Sequence, residues 1–372
     1  MGASISKIGT KYRVTLDHGK DEAGKRVRTF TTVDTQPEAR QIATEFNFSQ
    51  QRGLLVKPTD VTLAEHLRYW MRVDVMNNCQ ETTVYGYSNI IEHHVIPSIG
   101  RLRLQELQPA ILQNYYQQLI EKGLSANTVR RHHALLKTAL DFALRQQLVF
   151  RNVADAVTQP KKRPSVGKSY TPEEVQVLLD KVSGTRMEVP VYLAVFLGLR
   201  REEVTGLRWQ YVDFKQRLIR IVEVRTAAGN KNNIVKEPKT PKSRRTLHLV
   251  DAVYESLSRQ KEQQDRRKAV LGELYHDSDY VFVRDDGKPY RVNGLSEHFL
   301  DFLRAHNLPR LRFHDLRHTF ASLMYNGGVD LKAISEVMGH SDIGTTSKIY
   351  THLFDHSHRE QLSAMSRILS ST

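Results

Sequence analysis

A chain of 372 residues, 40% hydrophobic and 26% charged, is enough for two or three cores and reads as a soluble multidomain protein. Its formal charge of +14 is spread along the chain, with ten Lys/Arg against six Asp/Glu in residues 1–58, thirteen against nine in 59–165 and thirty-two against twenty-six in 166–372. Every part is therefore basic, as in domains that surround a polyanion. The lone Cys79 excludes an intramolecular disulfide and a thiolate zinc cluster, and the longest apolar run, 189–199, is too short to span a bilayer.

Thr10–Asp17 and Val27–Val33 alternate as β-strands do, and a helical pattern follows from Pro37 to about Gln51. This predicts a small sheet with one helix, residues 1–58. Lys11, Arg13, Arg26 and Arg28 on its strands present a basic face suited to a DNA groove, the alternative being solvated strand faces. The start, Met1-Gly2-Ala3-Ser4-Ile5-Ser6, matches a myristoylation pattern by letters only, and it does not read as a signal peptide.

Residues 59–157 read as an all-helical domain opened by a capping box at Thr62-Leu63-Ala64-Glu65. Turns are expected near Pro97–Gly100 and at Gly123, with Cys79 near a helix end. The helix opening at Ser125-Ala126-Asn127-Thr128 carries Arg130 and Arg131 in its first turns, where basic groups meet phosphates, and buries Leu135, Leu136, Ala139, Leu140 and Ala143. Residues 158–169, rich in Pro and Lys and aperiodic, form a linker. Thr171-Pro172-Glu173-Glu174 then starts a mainly helical domain, 170–372, with a small antiparallel sheet from Leu218–Thr226 and Arg245–Leu249. The fold class is multidomain α+β.

Candidate chemistry lies in this last domain. Arg200 and Glu203 are three apart, so on a helix the carboxylate holds the guanidinium in place. Lys239 is on a loop or hairpin from which its ammonium can reach a reacting oxygen. His314 and Arg317 share a helical face beside apolar Phe313, Leu316, Phe320 and Leu323, and a cation buried there calls for an anion such as phosphate. His314 and His318, four apart, have the spacing of a zinc-protease helix, but Asp315 stands where that motif needs Glu and no third ligand is evident, so no metal is expected. Tyr350 ends the stretch from Met338-Gly339-His340 to Ser347-Lys348-Ile349 and reads as a nucleophile for phosphorus next to a cationic clamp.

In order and spacing, Gly198-Leu199-Arg200, His314-x-x-Arg317, Met338-Gly339-His340 and Tyr350 resemble the motifs of the tyrosine recombinases, specifically lambda-like integrases of temperate phages and conjugative transposons. The resemblance covers essentially the whole chain. It implies an arm-type DNA-binding sheet, a helical core-binding domain of SAM-like type and a catalytic domain. It also implies Arg200 and Arg317 as the phosphate-binding pair, Tyr350 as nucleophile, His314 as its base, Lys239 as acid for the leaving 5′ oxygen, His340 as a hydrogen-bond donor and Glu203 as structural support. The family usually has Gly where Glu202 stands, which is expected to alter the turn slightly.

The resemblance further implies double-stranded DNA with core and arm attachment sites as partner, a homotetramer on DNA that exchanges an amphipathic tail helix (Arg359 to about Leu369), a host DNA-bending protein, a directionality factor, and residence in the bacterial cytoplasm at the nucleoid. No cofactor is required, because the phosphotyrosyl bond conserves the diester energy. A type IB topoisomerase and a noncatalytic DNA-binding regulator are the alternatives.

Overall fold

Two capping boxes set where the helical stretches begin. The Glu65 amide donates to Thr62 Oγ1 at 3.2 Å while the Thr62 amide donates to Glu65 Oε2 at 2.8 Å. Thr171 and Glu174 repeat the exchange at 3.2 and 2.9 Å. Each box satisfies two amides that have no helical acceptor. The structure, a computed structural model, describes residues 2–20, 24–51, 56, 58–162, 167–229, 232–237 and 243–339. The chain divides into two units, 1–164 and 165–372, and the boundary falls within the segment expected as a linker.

In the first unit, β1 (Gly2–Ile8), β2 (Lys11–Lys20) and β3 (Arg26–Val33) form an antiparallel sheet in that order. Helix α1 (Gln36–Gln51) packs on one face, where Val14, Ala39 and Ala43 are buried with Tyr12, Leu16, Val33 and Ile42 around them. Strand β1 is absent from the sequence expectation. It is an edge strand whose Ile5 and Ile8 stay exposed, so it lacks the half-buried alternation that marks a strand.

The rest of this unit is helical: α2 (Leu63–Trp70), α3 (Met76–Asn78), α4 (Glu81–Ile90), α5 (Ile96–Ile99), α6 (Pro109–Glu121) and α7 (Ala126–Arg145). Wide π-turns at Met71–Val75 and Ile91–Val95 join α2 to α3 and α4 to α5. The turn expected near Pro97–Gly100 falls at Gly100–Arg101, and Pro97 itself sits inside α5, directly after the wide π-turn. The predicted apolar stripe of α7 is wholly buried, among Leu63, Leu67, Trp70, Tyr115 and Tyr116. Cys79 caps α3 and is exposed.

The second unit opens with α8 (Pro172–Val182), α9 (Glu188–Leu197) and α10 (Arg201–Gly206). A sheet of order β4 (Val212–Asp213), β5 (Leu218–Ile221) and β8 (Arg245–His248) follows, with a separate hairpin of β6 (Val224–Ala228) and β7 (Asn232–Lys236). The run Leu218–Thr226, expected as one strand, is thus two strands of different sheets. The chain leaves the first sheet at Glu223, whose carboxylate receives Arg208 Nε at 2.5 Å. Helices α11 (Asp251–Leu271), α12 (Val292–Ala305), α13 (Asp315–Asn326) and α14 (Leu331–Met338) complete the described part. The apolar α9 is buried on nearly every side, and Phe320, Ala321, Ile334 and Met338 form a smaller core between α13 and α14. The expected tail helix lies outside the described residues, and among those no helix is long and apolar enough to cross a membrane.

Candidate active site

Helix α9 stops at Gly198, which adopts the left-handed φ of +61° and lies flat against α13: a Cβ there would meet Phe320 Cδ1 at 2.6 Å. The stop turns the Gly198 carbonyl toward Arg317, whose Nη1 donates to it at 2.5 Å, while Nη2 donates to the Met338 carbonyl at 2.7 Å. Arg317 is 2% exposed. The sequence expectation paired this buried cation with an anion, but carbonyl dipoles from the ends of α9 and α14 accept its N–H groups directly. A helix C-terminus carries partial negative charge, so both ends favour a guanidinium.

Arg200 is the N-cap of α10 rather than a residue on its face. Its amide donates to Glu203 Oε2 at 2.9 Å and its Nη1 to Oε1 at 2.8 Å, so the carboxylate does hold the guanidinium, through the cap. Arg200 Nη2 reaches the Gly339 carbonyl at 3.3 Å. The two arginines therefore converge on adjacent carbonyls where Gly339, φ +63°, ends α14. Glu202, in place of the usual glycine, occupies the first turn of α10 and pairs with Arg201 at 2.9 Å. It has no positive φ, so the helix start accepts a side chain there.

One further residue was missed from the sequence. Arg245 donates Nη1 to Glu203 Oε1 at 3.0 Å and Nη2 to Oε2 at 2.9 Å. Burial alone raises the Glu203 pKa, but the charge and hydrogen bonds of Arg245, followed by the charges of Arg200 and Arg317, outweigh it and hold the carboxyl at about 2. Three guanidinium groups thus face one carboxylate, a surplus of positive charge.

His314 precedes α13 and keeps an exposed edge. Desolvation by the protein around its ring, and then the charge of Arg317, lower its pKa, so the imidazole is neutral at pH 7. His318 packs edge-on against it, with ring centroids 5.4 Å apart. Burial, and then His314, lower the His318 pKa to about 4. Asp315 is taken up by Arg312, at 2.7 Å from Nη2 and 2.8 Å from Nε. Among the described residues no group of three or more His, Cys, Asp or Glu is placed to hold a metal ion. Lys239, His340 and Tyr350 lie outside the described residues.

The basic residues proposed for DNA contact divide by surroundings. Lys11 pairs with Asp34 at 2.8 Å, and Arg26 and Arg28 each lie 3.5 Å from Asp17. Arg13, between Ser6 and Thr32 in register, is exposed on the outer face of the sheet. Arg130 turns back to the Pro160 carbonyl at 3.1 Å, whereas Arg131 is exposed.

Residues 168–357, just over half of the chain, match the phage integrase family. The chain belongs to that family. Residues 62–120 of the integrase match the N-terminal SAM-like domain of phage integrases. It is 28% identical over 360 residues to a tyrosine recombinase XerC-like protein of Caldanaerobacter subterraneus, covering 92% of each chain. It is 24% identical to the ICEBs1 integrase of Bacillus subtilis, covering 98% of this chain and all of the other. In fold it is similar to the Tn1549 transposon integrase solved with a circular intermediate DNA, at a TM-score of 0.69 and 21% identity, covering 82% of this chain and 99% of that one. A lambda integrase tetramer on a Holliday junction gives 0.58 at 17% identity, covering 92% and 96%. The integrase is a lambda-like tyrosine recombinase of a mobile element, an enzyme of site-specific recombination that breaks and rejoins DNA. Nothing in these matches favours a topoisomerase.

Proposed function

We propose that this integrase cuts its own element's attachment sites by attack of Tyr350 on the scissile phosphate. The convergence of Arg200 and Arg317 on the end of α14 carries the reading, since two guanidinium forks from distant chain segments meet immediately before His340. Two forks hold a pentacoordinate, doubly charged state more strongly than the singly charged diester, and that difference lowers the barrier.

A free phenol has a pKa near 10, so Tyr350 needs a base. His314, neutral at pH 7, takes its proton as the phenolic oxygen bonds to phosphorus. The bond to the 5′ oxygen breaks, Lys239 protonates that oxygen, and His340 donates a hydrogen bond to a nonbridging oxygen. The products are a 3′-phosphotyrosyl bond and a free 5′ hydroxyl. Attack by the 5′ hydroxyl of another end reverses the chemistry and joins new partners without a cofactor.

Residues 1–58 read the arm sites through Arg13 and its neighbours on the outer sheet face, 59–157 grip the core site with Arg131 toward phosphate, 158–169 link them to the catalytic part, and 170–372 cut. Double-stranded DNA is the partner and a tetramer the working assembly. The tail helix is exchanged between subunits, and a host bending protein and a directionality factor set the outcome. The test is covalent trapping of wild-type and Tyr350→Phe protein on nicked DNA bearing the element's ends, without metal or ATP. A protease-sensitive shift on a denaturing gel, lost in the variant, is expected; binding without any shift in either protein overturns the proposal.

A further inference from the structure

We infer that Arg245 is a positioning residue for Arg200, keeping its guanidinium aimed at the scissile phosphate by occupying the paired hydrogen-bonding side of Glu203. The inference rests on the reading of Arg200 as a phosphate ligand.

Each Glu203 oxygen receives two donors, one from each arginine. Oε1 accepts from Arg200 Nη1 and Arg245 Nη1 at 2.8 and 3.0 Å, and Oε2 from the Arg200 amide and Arg245 Nη2 at 2.9 Å each. Arg245 is the partner that bonds end-on with both Nη groups of its fork, a bidentate charge-assisted pair. Arg200, excluded from that arrangement, gives Glu203 a single side-chain N–H and turns Nη2 to Gly339.

Burial separates the two roles. The Arg245 side chain is 7% exposed and that of Arg200 28%, so Arg245 faces the protein and Arg200 the open side. Arg245 Nε has no hydrogen-bond partner among the described residues, although buried, which indicates a side chain placed for its two Nη groups. Its Nη1 also donates to the Ser243 carbonyl at 3.3 Å, fixing the start of β8 beside α10. Remove Arg245 and the 1%-exposed Glu203 carboxylate is left short of two donors. The nearest replacement is the Arg200 fork, which would rotate onto Glu203 and away from the substrate. The surplus of positive charge would fall by one at the same time.

The experiment compares single-turnover cleavage by wild type, Arg245→Gln, Arg245→Lys and Arg200→Ala on three nicked substrates: an ordinary scissile phosphate, a neutral methylphosphonate at that position, and a 5′-bridging phosphorothiolate. The methylphosphonate lowers the charge that arginines must stabilise, and the phosphorothiolate has a leaving group that needs no acid. Arg245→Gln is expected to cut the ordinary phosphate roughly 100-fold more slowly with DNA binding kept, the size typical of losing one charge-stabilising donor. Arg245→Lys should stay slow, since an ammonium cannot reproduce the two-pronged bond to both Glu203 oxygens. On methylphosphonate the Arg245→Gln defect should shrink at least about tenfold, in parallel with Arg200→Ala.

An equal defect on all three substrates, or relief only with the phosphorothiolate, overturns the inference. Should Arg245→Gln not fold, Arg245→Lys, which keeps a buried positive charge beside Glu203, is read on the same substrates with the same criteria. If Arg200→Ala itself shows no relief on methylphosphonate, the reading of Arg200 has failed rather than the role of Arg245.

Discussion

Gly198 and Arg317 are joined by a 2.5 Å hydrogen bond from the guanidinium to the carbonyl that ends α9. The glycine is required twice over. Its φ of +61° is unfavourable for a side chain, and a Cβ would press into the Phe320 ring at 2.6 Å. Gly198→Ala should therefore cost about 1–3 kcal/mol in stability. It should also lower cleavage by more than the unfolded fraction accounts for, because the carbonyl that aims Arg317 moves with it. Urea unfolding and covalent-complex yield on one preparation test this; a stability loss with the activity of the folded fraction unchanged refutes the coupling.

A second close approach ties the beginning of the catalytic unit to His314. A Cβ on Gly167 would meet His318 Cδ2 at 2.7 Å and Cγ at 3.0 Å, and His318 is the ring packed against His314. Just beyond, the Tyr170 amide donates to Thr319 Oγ1 at 3.1 Å, so the segment cannot easily back away from α13. Gly167→Ala is expected to push the His318 ring and slow cleavage several-fold at saturating protein, with DNA binding intact. Single-turnover rates decide it, and a variant as fast as wild type removes the idea.

These close approaches show where sequence reasoning ends. Both capping boxes were legible because the interacting residues are three apart and the chemistry is local. The Arg200 and Glu203 pair was legible for the same reason. Arg245 was not, because 42 residues separate it from Glu203 and no periodicity announces a partner at that distance. The split of Leu218–Thr226 between two sheets was not legible either, because β5 pairs with the distant β8 while β6 pairs with β7. Burial of Arg317 was anticipated from its apolar neighbours, but not its carbonyl partners, since backbone acceptors carry no sequence signature.

The lowered pKa of His314 fixes the sign of a pH profile. As a base it acts only when neutral, so the acid limb of the cleavage profile should be centred below the ordinary histidine value of about 6.5. At subsaturating DNA the profile reports the free enzyme, where desolvation and then Arg317 depress the value. The acid limb should disappear in His314→Gln, whose residual rate does not depend on imidazole. A limb centred above 6.5, or one retained in the variant, excludes His314 as the base.

A different histidine governs stability in the first unit. His132 is 1% exposed, its Nδ1 lies 2.8 Å from the Tyr115 hydroxyl, and His94 packs edge-on at 5.1 Å. Burial, and then the charge of His94, lower its pKa to about 4, while burial raises that of Tyr115. The phenol therefore keeps its proton, and the buried Tyr115–His132 hydrogen bond joins two neutral groups. The unfolded chain binds a proton near pH 6.5 that the folded chain refuses until about 4, so stability is full above 6.5 and is lost as pH falls between those values. At pH 5 the loss from His132 alone is about 2 kcal/mol. Hydrogen exchange of the α7 amides at pH 7 and pH 5, corrected for intrinsic rates, should show it, and His132→Asn, which keeps an acceptor but does not titrate, should lose that part of the difference. An undiminished pH dependence in the variant would assign the effect to the other buried histidines, His66 and His133.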